Sequence, residues 1–112
     1  MRRLFIGILP LLLSVSVPAW AKTVLPAFTL TIKDHQFTPA KLVIPANQKV
    51  KLIIENQDGT PEEFESYALK REKVVSAYGT ITVVIGPLRP GEYKYFGEFN
   101  PKTAQGVIVV EE

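Results

Sequence analysis

The sequence predicts an all-β fold, a sandwich or Greek-key barrel of short strands. Three observations carry this. Short apolar runs alternate with polar residues at the period of a strand, turn-forming Pro, Gly, Asn and Asp recur between them, and no apolar stripe of helical period exceeds two turns. Such short strands, closely spaced and separated by Pro/Gly turns, are the signature of a sandwich whose two sheets share one core.

The elements follow in order. Residues 28–32 (Phe-Thr-Leu-Thr-Ile) alternate and begin a strand, which residues 34–39 interrupt. Residues 41–44 form a short strand ended by Pro45, and Ala46-Asn47 turns the chain. Residues 49–55 give the clearest strand, with Val50, Leu52 and Ile54 on one face. Residues 56–61 (Asn-Gln-Asp-Gly-Thr-Pro) read as a loop from their turn chemistry. Residues 64–69 read as extended, although residues 67–77 are also the one stretch with a weak helical pattern. Residues 80–85 are rich in β-branched side chains, and Pro87, Pro90 and Gly91 bracket the next turn. Tyr93 and Tyr95 share a face of a further strand, and residues 107–110 form the last.

The N-terminus has a different character. Arg2 and Arg3 precede an apolar run over residues 4–17, and Ala19-Trp20-Ala21 has the small-x-small form of a cleavage site. Residues 1–21 are therefore expected to be a secretory signal, with residues 22–112 as one exported domain. The run is short for a bilayer span and ends at Pro18, so no stable membrane insertion is expected after cleavage. The formal net charge of +2 belongs to the signal. Without Arg2 and Arg3, 11 basic residues face 11 acidic ones, which leaves no basic surface for nucleic acid.

Residue counts exclude several chemistries. There is no cysteine, so disulfides, thiol nucleophiles and iron–sulfur clusters are out. His35 is the single histidine and the initiator is the single methionine, so type-1 copper ligation by His, Cys and Met is out as well. An enzyme is not expected: a hydrolytic triad would need His35 together with Ser66 or Ser76, and nothing in the spacing joins them.

Three patterns occur in a fixed order. A strand is followed by Phe37-Thr-Pro39 and Leu42-Val-Ile-Pro45-Ala46. Then comes Val50-Lys-Leu-Ile-Ile-Glu-Asn56 with a polar loop. Last is Leu88-Arg-Pro90-Gly91-Glu-Tyr93-Lys-Tyr95-Phe96, a loop and Gly106-Val-Ile-Val-Val110. Together they resemble the cupredoxin fold, the Greek-key β-sandwich of small blue copper proteins, over nearly all of residues 28–112. The resemblance implies a metal between two loops at one end of the sandwich. It assigns the family's first histidine to the neighbourhood of Glu62, its cysteine to Gly97, its second histidine to Asn100 and its methionine to Ala104 or Gln105. None of these residues is a blue-copper ligand.

A narrower resemblance lies in Pro61-Glu-Glu-Phe-Glu-Ser66, Lys70-Arg-Glu-Lys-Val-Val75 and Phe96-Gly-Glu-Phe-Asn100. These segments are similar to the cupredoxin-like domains of bacterial periplasmic iron-uptake systems, the EfeO-type domain and the stand-alone protein of Ftr-type ferrous iron transporters. The cysteines of the EfeO-type domain fall on Phe37 and Gly97. The resemblance implies a periplasmic accessory protein that binds iron, or copper loosely, and hands it to a membrane permease or a periplasmic partner. If the two loops meet, Glu62, Glu63, Glu65 and Glu98 converge as hard oxygen ligands that suit iron, Mn(II) or Ca(II) better than Cu(I); His35, in the turn after the first strand, is either a further imidazole ligand or an exposed turn residue. In a strand, Glu63 and Glu65 point to one face and Phe64 to the other, into the core. The alternative is that these glutamates form a solvated edge beside Lys70, Arg71 and Lys73, on a metal-free module that docks on a transporter complex.

Overall fold

The computed structural model describes residues 24–112 together with Gly7. The expected signal segment and the expected domain start at Lys22 lie outside the described residues, Gly7 apart. Among the described residues nine strands follow one another: β1 (Ala27–Lys33), β2 (Gln36–Thr38), β3 (Lys41–Pro45), β4 (Val50–Asn56), β5 (Glu62–Ser66), β6 (Arg71–Val75), β7 (Thr80–Ile85), β8 (Gly91–Gly97) and β9 (Gln105–Glu111). They form two sheets, one of four strands in the order β2-β1-β4-β7 and one of five in the order β3-β9-β8-β5-β6. β1 runs parallel to β4 and β3 parallel to β9; the remaining pairs are antiparallel.

The period-two pattern decides which side chains meet between the sheets. On β4, Val50, Leu52 and Ile54 are buried, as their alternation predicts. Leu30 and Ile32 of β1, Val83 and Ile85 of β7, and Ile108 and Val110 of β9 complete the aliphatic layer. The end of the sandwich nearest the loops after β4 and β8 is filled by aromatics. Phe37 stands edge-on to Tyr95 at 4.9 Å between centroids, and Phe64 packs on Tyr95 at 5.3 Å. Offset and edge-on aromatic pairs of this kind add to the burial energy of the rings. Gly106 is required here, because a Cβ at that position would collide with the Tyr95 ring.

The structure settles two local points. Residues 67–77 contain no helix: residues 67–70 turn and Arg71–Val75 is strand β6, paired antiparallel with β5. The weak helical pattern arose because β6 is an edge strand with four exposed residues, so its apolar positions do not alternate cleanly. Residues 34–39 interrupt the first strand, which ends at Lys33, by a hairpin. Asp34 and His35 both adopt positive φ, 53° and 57°, and form a two-residue hairpin that returns the chain as β2. Positive φ at both central residues is what a tight hairpin of this hand requires, and Asp and His are among the non-glycine residues that tolerate it.

Candidate metal centre

β5 delivers glutamates to two different places. Its alternation buries Glu62, Phe64 and Ser66 and turns Glu63 and Glu65 outward. The strand is held in register on both sides. Ser66 Oγ donates to the Lys94 carbonyl at 2.7 Å and accepts from the Leu69 amide, and the Glu98 amide donates to the Glu63 carbonyl at 2.9 Å. Before it, buried Asn56 shapes the loop: its side-chain amide donates to the Thr60 and Ser76 carbonyls, and its Oδ1 accepts from the Asp58 amide.

Inward, Glu62 is 1% exposed. Its Oε1 accepts from its neighbour's amide, Glu63 N, at 2.9 Å and from Phe99 N at 2.8 Å, and its Oε2 accepts from Asn100 Nδ2 at 2.8 Å. Gly97 and Ala104 close over it. The Gly97 amide donates to the Ala104 carbonyl at 2.8 Å, and a Cβ at residue 97 would lie 2.5 Å from Glu62 Cδ and 2.7 Å from Ala104 Cβ. Glu62, Gly97, Asn100 and Ala104, the positions to which the resemblance assigned a copper centre, thus do come together.

They do not fit copper. Groups that meet at a metal present lone pairs to a common point; here three N–H donors converge on one carboxylate. The thiolate position is a glycine with no room for a side chain beside Glu62, and the chain has no cysteine, so there is no type-1 site.

Outward, Glu63, Glu65 and Glu72 bring one carboxylate oxygen each to within 4.8 Å of one another. Glu65 and Glu72 are direct cross-strand partners on β5 and β6, and Glu65 pairs on its other side with Phe96 of β8. Partial burial of Glu65, then the negative charges of Glu98, Glu72 and Glu63, push its carboxyl above the usual glutamate range, with a hydrogen bond to Glu98 adding to the shift. The same surroundings raise Tyr67, first through the charge of Glu65. The Tyr67 ring lies 5.5 Å from that of Phe96 beside the cluster.

The basic residues close by in the sequence do not answer this charge. The Arg71 guanidinium donates to backbone carbonyls of Leu69, Lys70 and Val84. Among the described residues the one ion-pair contact is His35 Nδ1 with Asp58 Oδ2, at 3.7 Å. Like charges placed directly opposite on paired strands repel, so a cluster without a basic partner favours a cation.

The expected ligand set is therefore divided. Glu63, Glu65 and Glu98 meet, Glu62 faces the other way into the sandwich, and His35 lies apart. Its hairpin is tied to Asp58, and it lines a surface groove with Asn100, Pro101, Lys102 and Thr103. Glu72 was missed. The sequence pattern assigns no strand to residues 71–75; reading residues 62–75 as a hairpin would have set it opposite Glu65.

Comparisons with known proteins agree with this architecture. The chain is 48% identical over 83 residues to the uncharacterized protein RP394 of Rickettsia prowazekii (strain Madrid E), which covers 74% of this chain and 66% of that one. It therefore spans just under two thirds of that relative's length. Among solved structures, the metal-binding domain of the Cu(I)-exporting P-type ATPase CopA from Streptococcus pneumoniae superposes with a TM-score of 0.68 at 10% identity, covering 77% of this chain and 85% of that one. Auracyanin A, a blue copper protein from Chloroflexus aurantiacus, gives 0.65 at 14% identity over 76% and 98% of the two chains. A methionine-to-alanine variant of amicyanin with Cu(I) gives 0.64 at 16% identity over 76% and 82%. At these identities the structures speak for the fold alone. The family model of the cupredoxin-like domain matches residues 4–110, and the chain belongs to that family.

Proposed function

We propose that this chain is a periplasmic accessory protein of a metal-uptake system, with ferrous iron as its cargo. It holds the ion on the outer carboxylate face of β5 and delivers it to a membrane permease. The observation that carries this reading is the set of four carboxylates, Glu63, Glu65, Glu72 and Glu98, gathered on one face with no Lys or Arg partner among the described residues. Carboxylate oxygens are hard donors that suit Fe(II) better than Cu(I). The signal-like N-terminus and the resemblance to iron-uptake domains support the location and the cargo. The role is that of a carrier and not of an enzyme.

The test is an anaerobic calorimetric titration of the purified protein with Fe(II), with Cu(II) for comparison. Saturable binding at micromolar concentration, lost in the Glu65→Gln/Glu72→Gln double variant, is the expected result. No binding of either ion to folded protein overturns it. Secretion is checked separately by N-terminal sequencing of the exported protein, which should begin at Lys22.

A second reading, a metal-free module that docks on a transporter complex, is favoured by one observation: the end of the sandwich that the family uses for metal is filled by Glu62. A partner that stays bound through chelation and through the double substitution would select it.

A further inference from the structure

We propose that the Glu62 carboxylate is a built-in, metal-free latch that joins the start of β5 to the loop after β8, taking by hydrogen bonds the structural place of an ion. The inference stands on the inner face of β5 and is independent of whether the outer carboxylates bind iron.

Three features carry it. The first is connectivity. Phe99 N and Asn100 Nδ2 are 37 and 38 residues away from Glu62 in sequence, so two of its three bonds tie the first residue of β5 to the loop after β8. The third bond, from Glu63 N, orients the side chain on its own strand. The second is closure. Both oxygens are engaged, and a Cβ at Gly97 would lie 2.7 Å from Oε2, so the Gly97 backbone covers the side of the carboxylate that the amides leave. Binding a cation there means breaking those bonds around a buried carboxylate and leaving partly buried N–H donors without their acceptor, a cost that an exposed cluster does not carry. The third is complementarity. Among the described residues no buried side-chain polar atom lacks a partner, so the latch is complete as it stands.

The latch makes specific demands on substitutions. Leucine matches glutamate in size but removes every acceptor, so three donors lose their partner. Glutamine keeps the shape: its carbonyl oxygen accepts from Glu63 N and Phe99 N, and its amide meets Asn100 once the Asn100 amide rotates to present Oδ1.

The experiment is thermal unfolding together with amide hydrogen exchange on the purified full chain, with EDTA and with added Mn(II) or Cu(II). Glu62→Leu is expected to lower the unfolding midpoint by about 10 °C or more. It should speed exchange at the Phe99 amide about tenfold or more. Glu62→Gln is expected to retain most of both, and EDTA should leave the unsubstituted protein unchanged. Should Glu62→Leu not fold, Asn100→Ala removes a single donor from the second loop and is expected to show the same acceleration at Phe99 with a smaller loss of midpoint.

Wild-type stability and Phe99 protection in either Glu62→Leu or Asn100→Ala overturns the latch. So does stabilisation by Mn(II) or Cu(II) that disappears in Glu62→Leu and survives in Glu65→Gln/Glu72→Gln. The reverse pattern leaves the latch standing and assigns the ion to the outer cluster. No stabilisation by either ion counts against the outer site alone.

Discussion

Glu62 and Glu63 are adjacent on one strand, yet they have opposite surroundings. Glu62 is enclosed and meets only hydrogen-bond donors. Glu63 faces out among carboxylates, with Glu65 and Glu72 beside it and Glu98 completing the group around Glu65. The difference teaches that charge on this domain is sorted by strand parity. Successive side chains of a strand leave on opposite faces, so a run of glutamates at the end of a sandwich supplies a lock on one face and a cation-attracting patch on the other. Inward, the polar groups are mutually satisfied and the structure depends on them. Outward, they are unbalanced and available.

The enclosed centre is most sensitive at Gly97. Gly97→Ala places a Cβ against both Glu62 and Ala104, and overpacking of this kind costs about 3 kcal/mol. Urea unfolding should show a much lower midpoint, and a midpoint equal to wild type would mean that the centre is looser than described. The outer half responds in binding and not in stability. Glu65→Gln/Glu72→Gln should weaken Fe(II) by about tenfold or more in calorimetry, with an unfolding midpoint within about 2 °C of wild type. Because Glu65 keeps its proton above the ordinary glutamate range, Fe(II) affinity should fall on acidification sooner than an ordinary glutamate would titrate.

Smaller effects sharpen the boundary between the two regions. The His35 amide, and then the Asp34 amide, donate to Asp58 and hold its carboxyl below its ordinary value of 3.8. A lowered folded-state value means that Asp58 stabilises the fold above pH 3.8 and loses that contribution as pH falls through the lowered value. Asp58→Asn should thus be less stable than wild type near neutrality, with the gap closing in acid; a gap that does not change with pH would deny the carboxylate this role. His35→Ala should change least. Its imidazole lies outside the carboxylate cluster and is exposed, so Fe(II) affinity is expected to stay within about twofold of wild type. A tenfold loss would place His35 in the site.

Much of this was legible in the residues. The alternation of residues 49–55 is the buried face of β4, and Phe64 between two glutamates announced a strand with its ring in the core. The four positions at the end of the sandwich were also identifiable from the order of the motifs. What lies there was not. Glu62, Glu63, Glu65 and Glu98 look alike as letters, and Glu62 shares the inward parity of Phe64 only if the strand already begins at Glu62, which no local signal marks. Glu72 was invisible for a related reason. An edge strand with exposed, charged residues carries no clean period, and only pairing with β5 places it opposite Glu65.

By itself, the sequence determined the class of fold and what the domain lacks. Strand periodicity and turn residues are local properties, and a missing cysteine or second histidine is a fact of composition. The tertiary structure alone decided which glutamate is a latch and which belong to the cluster. That choice depends on register across strands and on loops that bring Phe99 and Asn100 to Glu62 from 37 and 38 residues away. Contacts at such separation form when β5 pairs with β8 within the five-stranded sheet, and strand parity then leaves the neighbouring carboxylates on the outer face.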